Sequence, residues 1–508
     1  MAGGGLRFNR TMGNDFSRRG FLGCLAGFGV VGAGALAAPP ATSLRPHLRG
    51  EGFYKRAVPS AQEIIGGEKL SGRVAFAVAD AKSGKWLECE NEQTGTAPAS
   101  VTKALTALYA LEALGAAHQF QTTLLATGGV LNGEVQGDLV LVGGGDPTLD
   151  TDGLAQIAAQ LKEAGIIGVK GGFKVFEAAF PVLRQIDPAQ PDQVGYNPAV
   201  SGLALNFNRV HFEWKRGSNG YAITMEGRSE RYRPAVTMAS MQIRDRRAPI
   251  YTYEDQPKRD SWTVAKGALG KNGARWLPVR KPGLYAGDVF ATLAGAQGIR
   301  LAKPEVIDAL PQGEVIVTHQ SGPLLGILQD MLKYSTNLTA EMVGLAATKS
   351  RIGQVADLQS SAAEMNRWAI NHLGLSAPKL VDHSGLGDAS RMTAQDMALA
   401  LIKVQESTLR SILKPFKMRD KKGRPIKDHP IAVNAKTGTL NFVSGLAGYV
   451  TAEDGRELAF AIFAADEDAR AKIRPDERER APGAKTWNRR AKRVQQGLIE
   501  RWAVLYGS

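Results

Sequence analysis

Cysteine is almost absent from this chain: among 508 residues there are two, Cys24 and Cys89. So few thiols exclude a disulfide framework and any zinc site built on cysteine pairs. The seven histidines include no His-Glu-x-x-His pair, so a helical catalytic zinc site is excluded as well. The glycine run from Val142 to Thr148, VGGGDPT, follows a strand pattern but lacks both the Gly-Lys-Ser/Thr ending and the Gly-x-Gly-x-x-Gly spacing, which excludes a nucleotide-phosphate loop. No Gly-x-Ser-x-Gly elbow is present. The residues Asp382-His383-Ser384 carry the letters of a triad, but consecutive side chains do not converge on one point, so they read as a loop. No cofactor motif emerges, and none is expected.

Long apolar runs are scarce too. The stretch CLAGFGVVGAGALAA is too short and glycine-rich to span a membrane. It follows SRRGFLG, and paired arginines, a weak apolar region and the small-residue site Ala35-Leu36-Ala37 have the form of a twin-arginine export signal, cleaved near Ala37 or Ala38. Cys24 lies five residues after Arg19, which leaves no room for an apolar segment before it and argues against lipidation. Residues 1–38 are therefore expected to be a leader, 39–60 a Pro- and Arg-rich linker, and the mature chain periplasmic. Acidic residues are outnumbered, 49 against 63, for a net charge of +14. Removing the leader, with four arginines and one aspartate, leaves +11. A basic exported protein suits peripheral contact with anionic wall or membrane surface, not nucleic acid.

What is present is an ordinary globular composition, 44% hydrophobic and 22% charged, long enough for several domains. GRVAFAVADAKSGKWLECE alternates around Ser83-Gly84 and predicts a β-hairpin. The run from Ser100 to Leu114 carries an apolar stripe through Ala104, Leu108 and Leu111, with Gly115 placed to end a helix. From about 125 to 305 the chain turns to short strands and glycine-rich turns. Helical periodicity returns near 320 with Leu324, Ile327, Leu328 and Met331. IAVNAKTGTLNFVSGLAGYVTAEDGRELAFAIF then reads as strands turning at Asp454-Gly455, and a terminal helix carries Val494, Leu498, Ile499 and Trp502 on one face. The expected organisation is one α/β catalytic domain, 61–125 and 306–508, interrupted by an insertion at 126–305.

Chemistry is carried by spacing. In ASVTKAL, Ser100 and Lys103 stand one helical turn apart, and a lysine so placed can activate a serine if it is neutral. The same spacing recurs at Ser376/Lys379 and Ser411/Lys414, but Pro378 and Pro415 make those helix ends or turns. YSTNLTAE holds Ser335 and Asn337. AKTGTL places Lys436, Thr437, Gly438 and Thr439 on a strand, where Gly438 would let a substrate backbone lie close; Lys82-Ser83-Gly84 is a turn decoy. Ser-x-x-Lys, Ser-x-Asn and Lys-Thr-Gly, in that order, are the motifs of penicillin-binding proteins and class A β-lactamases.

The chain resembles the low-molecular-mass class C penicillin-binding proteins, which are D-alanyl-D-alanine carboxypeptidases and endopeptidases. The motif separation, 235 residues from Ser100 to Ser335, matches a family with large insertions there. GDLVLVGGGDPTL, GLALNFNRV, SGPLLGILQDMLKYSTNLTAE and DHSGLG also resemble its segments, from about residue 60 to the C-terminus. The family usually has glycine where His383 stands. The resemblance implies an α/β fold with an antiparallel sheet flanked by helices and a β-rich insertion. It implies Ser100 as nucleophile, Lys103 as base, Ser335 as proton carrier and Asn337 as a ligand of Lys103 and the substrate amide. Lys436 and Thr437 would hold a terminal carboxylate, and the Ser100 and Thr439 N–H groups an oxyanion. Peptidoglycan stem peptides and β-lactam antibiotics are the implied partners; a β-lactamase and a non-catalytic penicillin sensor are the alternatives.

Overall fold

The computed structural model describes residues 58–420 and 422–507. The leader and all but the last residues of the linker lie outside them. The strand segments quoted above build one five-stranded antiparallel sheet, in the order Ala432–Leu440, Val443–Thr451, Glu457–Ala465, Arg73–Asp80, Trp86–Glu90. Both ends of the chain thus meet in it, since Arg73–Asp80 pairs along its whole length with Glu457–Ala465.

The three central strands, Val443–Thr451, Glu457–Ala465 and Arg73–Asp80, are buried along nearly their whole length because both faces are covered. Alternate residues divide by size. Phe76, Val78, Phe460 and Ile462 point to one face, where Trp487, Val494, Leu498, Ile499 and Trp502 of the terminal helix Ala484–Tyr506 cover them. Trp502 packs between Phe76 and Phe460 at ring separations of 5.6 and 5.9 Å, a contact whose truncation costs about 3–5 kcal/mol. Ala75, Ala77, Ala459 and Ala461 face the other way, and small side chains there let helices sit close. On that side lies Thr102–Leu114, whose residues from Thr102 to Ala110 are all buried. The stripe read from the sequence is narrower than this burial. The helix is enclosed by Asn337–Ile352, Leu358–Leu373 and Leu324–Tyr334 as well as by the sheet.

The insertion has its own core, around Leu124, Leu141, Ile157, Phe173 and Phe290. Its main sheet runs Glu305–Ile307, Phe173–Phe176, Leu139–Gly143, Gln121–Ala126, Glu314–Gln320. The strands that flank the expected bounds of 126 and 305, Gln121–Ala126 and Glu314–Gln320, pair with each other in this sheet. Its periodicity also concealed two helices, Thr151–Glu163 and Pro282–Ala296, the first capped by Asp150. The VGGGDPT glycines enter a packed turn in which Asp146 accepts from the Thr148 N–H at 2.8 Å and hydroxyl at 2.6 Å.

Candidate active site

A single 3₁₀ turn, Ala99–Val101, carries Ser100 onto the N-terminus of the enclosed helix. Ala99 adopts φ +47°, a conformation that costs a non-glycine residue about 1–2 kcal/mol. Neighbouring backbones hold it there. A Cβ on Gly438 would come within 2.7 Å of the Pro98 carbonyl and 3.1 Å of the Ser100 nitrogen, so only glycine lets the Ala432–Leu440 strand lie against the Ser100 turn. From the sequence Gly438 is expected to make room for a substrate; the atom nearest its missing Cβ is the chain's own Pro98 carbonyl.

One turn on, Lys103 is fully buried. Its Nζ donates to Ser100 Oγ at 3.0 Å, Asn337 Oδ1 at 2.7 Å and the Ser384 carbonyl at 2.7 Å. Burial pulls the ammonium's pKa down from the ordinary lysine range, while the buried carboxylates Glu341 and Asp382 oppose the shift. Ser335 ends the helix Leu324–Tyr334 in a left-handed conformation, φ +61°, and Asn337 begins the next helix. That reversal turns the Ser335 hydroxyl to Lys436 Nζ, which donates to it at 2.9 Å and to the Thr437 carbonyl at 2.8 Å. Lys436 is buried as well, and burial, then the Lys103 and Lys414 charges, drive its pKa far down. Ser100, Ser335, Asn337 and Thr439 line one cleft of about 820 Å³. The two lysines are therefore the centres of two groups on one cleft, Lys103 with Ser100 and Asn337, and Lys436 with Ser335.

The competing motifs do not assemble. Ser376 is bonded to Asp396 and Ser411 to the Thr408 carbonyl, neither to its lysine. Ser83 donates to Asp80 within the hairpin turn. Asp382, His383 and Ser384 diverge as a loop should. Asp382 accepts from the Gly385 and Gly387 N–H groups, and His383 Nε2 bonds Ser361 Oγ at 2.8 Å. Burial pushes His383 down to about 3, so it is neutral and structural.

Sequence reasoning missed Glu341. Its oxygens accept from the backbone N–H groups of His383 and Ser384, each at 2.9 Å, and so fix the carbonyl that holds Lys103. Its signal was in view: in YSTNLTAE it stands one helical turn after Asn337 on the same buried face. Burial raises its pKa and the Lys103 ammonium lowers it. In Glu341→Gln one backbone N–H loses its acceptor, at a cost of about 1–3 kcal/mol. The variant also lacks the anion that holds a proton on Lys103. If acylation needs neutral Lys103, the rate climbs with pH through that pKa, and a lower pKa moves the climb to lower pH. A penicillin-acylation pH profile of the variant unchanged or shifted to higher pH would refute this role.

The sequence also gave no sign of the cleft's outer wall. Residues 466–483 cross from the sheet toward the insertion, where Glu479 pairs with Arg275 at 2.9 Å and bonds Gln193 at 2.7 Å. Arg470 pairs with Asp388. From the insertion, the Tyr196 carbonyl accepts from Asn337 Nδ2 at 2.9 Å.

The sequence profile of the D-Ala-D-Ala carboxypeptidase 3 (S13) family matches residues 60–481. The chain is 28% identical over 438 residues to a D-alanyl-D-alanine carboxypeptidase of Actinomadura sp. (strain R39), covering 78% of this chain and 79% of that protein. It is 24% identical over 400 residues to the D-alanyl-D-alanine carboxypeptidase DacB of Haemophilus influenzae, covering 73% and 81%. The fold is similar to the crystal structure of penicillin binding protein 4 (dacB) from H. influenzae, with a TM-score of 0.66 and 20% identity over 82% of this chain and 93% of that one.

Proposed function

The chain belongs to the D-Ala-D-Ala carboxypeptidase 3 (S13) family, and from that premise we propose that it hydrolyses peptidoglycan stem peptides through an ester on Ser100. The observation that carries the reading is Lys103: a buried amine 3.0 Å from a serine hydroxyl and screened from water is placed to accept its proton. Ser100 Oγ attacks the carbonyl of the penultimate D-alanine as its proton passes to neutral Lys103. The oxyanion forms against the Ser100 and Thr439 N–H groups, both on the cleft wall. The proton held by Lys103 passes by way of the Ser335 hydroxyl to the departing nitrogen, the C–N bond breaks, D-alanine leaves, and Lys103 is neutral again. Water then attacks the ester carbonyl as Lys103 takes its proton, and that proton returns to Ser100 Oγ as the ester C–O bond breaks. Lys436 and Thr437 hold the leaving residue's carboxylate; that anion raises the pKa of Lys436, so substrate binding itself restores the ammonium. Asn337 ties Lys103 to the cleft and offers Nδ2 to the substrate amide once Tyr196 yields it.

The same route makes the protein a target of β-lactams. Slow release of the penicilloyl ester is supported by the acids on the cleft wall: Asp388 is paired with Arg470 and Glu479 with Arg275, which leaves neither free to activate water. The twin-arginine leader, periplasmic location and contact with the anionic wall belong to the same proposal. Among the described residues no helix is long and apolar enough to cross a membrane. The insertion, outside the motif set, forms part of the cleft wall.

The test is to incubate the purified protein with a peptide ending in D-Ala-D-Ala and, separately, with penicillin. Repeated release of D-alanine is expected, together with one penicillin bound per chain and retained for minutes. Rapid multiple turnover of penicillin without any D-alanine release would instead assign a β-lactamase.

A further inference from the structure

A second groove, of about 510 Å³, lies beside the active site between the helix Leu324–Tyr334 and the insertion. It shares Tyr196, Ser335 and Asn337 with the main cleft, but not Ser100 or Thr439. One wall is built at unusual backbone cost. Asn206, Phe207 and Asn208 are all left-handed, with φ of 50°, 56° and 49°. Such a run persists only where other bonds dictate it. Here buried Asn206 accepts from the Thr151 N–H and donates to the Tyr285 hydroxyl, while buried Asn208 accepts from the Leu205 N–H and donates to the Ala199 carbonyl. The run sets Phe207 and Arg209 on the groove.

Arg209 is the anomaly. Its guanidinium lies 5.2 Å from the Phe207 ring and 5.6 Å from that of Trp276, and its Nε is buried without an acceptor. Burial draws its pKa down, and the influence that opposes the shift is the Tyr285 hydroxyl, not a carboxylate. A largely buried cation with no anion beside it is costly, and a carboxylate entering the groove would relieve that cost. The helix side of the groove supplies one exposed acid, Asp330, and an apolar surface from Ile327 and Met331. The lining therefore offers one cation, one anion and an apolar bed.

We propose that this groove is an effector site for a free zwitterionic amino acid, with its α-carboxylate on Arg209, its ammonium on Asp330 and its side chain on the apolar bed. This rests on the proposed serine mechanism, whose product D-alanine is one such ligand. The occupant acts on acylation through Tyr196. The Tyr196 carbonyl holds Asn337 Nδ2 at 2.9 Å, and the substrate amide needs that donor, so Tyr196 must withdraw before acylation. Gly195, Tyr196 and Pro198 also line the groove. A ligand packed against them keeps those contacts only while the segment stays docked, so it binds the docked state better and slows acylation. Released D-alanine thus feeds back on its own formation. Linkage makes the effect reciprocal: a penicilloyl group that has taken Asn337 Nδ2 weakens the ligand by the same factor.

The test follows the second-order rate of penicillin acylation by stopped flow as D-alanine or D-leucine is added, with D-leucine binding measured separately by ligand-observed NMR. The rate is expected to fall about 5- to 20-fold and then level off, because a ligand outside the main cleft slows penicillin without excluding it. D-Leucine should reach half its effect at a concentration about tenfold below that of D-alanine, since the groove has room for more than a methyl group. D-Leucinamide, which lacks the carboxylate, should do nothing. In Arg209→Met the rate without ligand should stay within about twofold, the melting temperature should not fall, and D-leucine binding should weaken about tenfold or more. Asp330→Asn, at an exposed position, should weaken it about threefold. Inhibition that proceeds to zero, undiminished binding in Arg209→Met, or no D-leucine binding at all would overturn the effector site. A protein that binds D-leucine through Arg209 but takes up no penicillin would overturn the serine mechanism instead, and the control of acylation with it.

Discussion

Ser100→Ala is expected to abolish penicillin labelling and to lower D-alanine release by a factor on the order of 10⁵ to 10⁶. The loss is this large because the hydroxyl is the only group on the helix-start turn that can form the ester, and nothing beside it can substitute. Thr102 is buried behind it, and Lys103 already serves Asn337 and the Ser384 carbonyl. Ser335, the other serine on the cleft, faces Lys436. The fold should be indifferent to the change, since the Oγ contributes one bond, to Lys103, and alanine suits a 3₁₀ turn. An unaltered melting temperature with no covalent penicillin by intact-mass measurement is the expected pair of results. Labelling that persists at another residue would disprove the assignment of the nucleophile.

Much of this site was legible because its motifs are local. Ser100 and Lys103 are one helical turn apart, Ser335 and Asn337 flank a helix break, and Lys436 to Thr439 lie along one strand, so residue spacing alone states their mutual geometry. The sheet was legible for a related reason: its strands are short apolar-rich segments, alternating or continuous, bounded by turns at Ser83-Gly84 and Asp454-Gly455. What was illegible depends on contacts between distant segments. Glu341 binds a loop more than forty residues away, so its place one turn after Asn337 puts it on the right helix face but does not say what it holds. The 466–483 wall is a charged run whose ordinary reading is a solvated loop; its pairing with Arg275 and Asp388 exists only in three dimensions.

His383 shows the same limit. By resemblance a glycine was expected there, and the bulk of an imidazole in so tight a loop would seem excluded. The room comes from Gly344, on the helix that follows Asn337: a Cβ there would lie 2.1 Å from the His383 ring. A large side chain in the loop is accommodated by the missing one on the helix, and Ser361 and Met365 take up its ring nitrogens. The loop backbone therefore keeps the carbonyl of Ser384 on Lys103 despite the substitution.

The two lysines should respond differently to arginine. Lys103→Arg keeps the positive charge but cannot become neutral, so it cannot accept the Ser100 proton. It also forces a wider planar group into a fully buried space where three oxygens already lie 2.7 to 3.0 Å from Nζ. Acylation by penicillin is expected to fall about 10³- to 10⁴-fold, the range of general-base catalysis together with misplacement of the serine. Lys436→Arg retains a cation for the carboxylate; its cost is the crowding of a buried site and an altered bond to Ser335, and a drop of about 10- to 100-fold is expected. In the wild-type protein acylation should increase with pH, because in the proposed mechanism only deprotonated Lys103 accepts the Ser100 proton. The midpoint should lie below the ~10.4 of free lysine, since burial penalises the ammonium. Stopped-flow acylation across pH separates the cases. Lys436→Arg should keep this rising limb at reduced amplitude, whereas Lys103→Arg should lose it altogether. A rising limb that survives in Lys103→Arg would mean that another group takes the serine's proton.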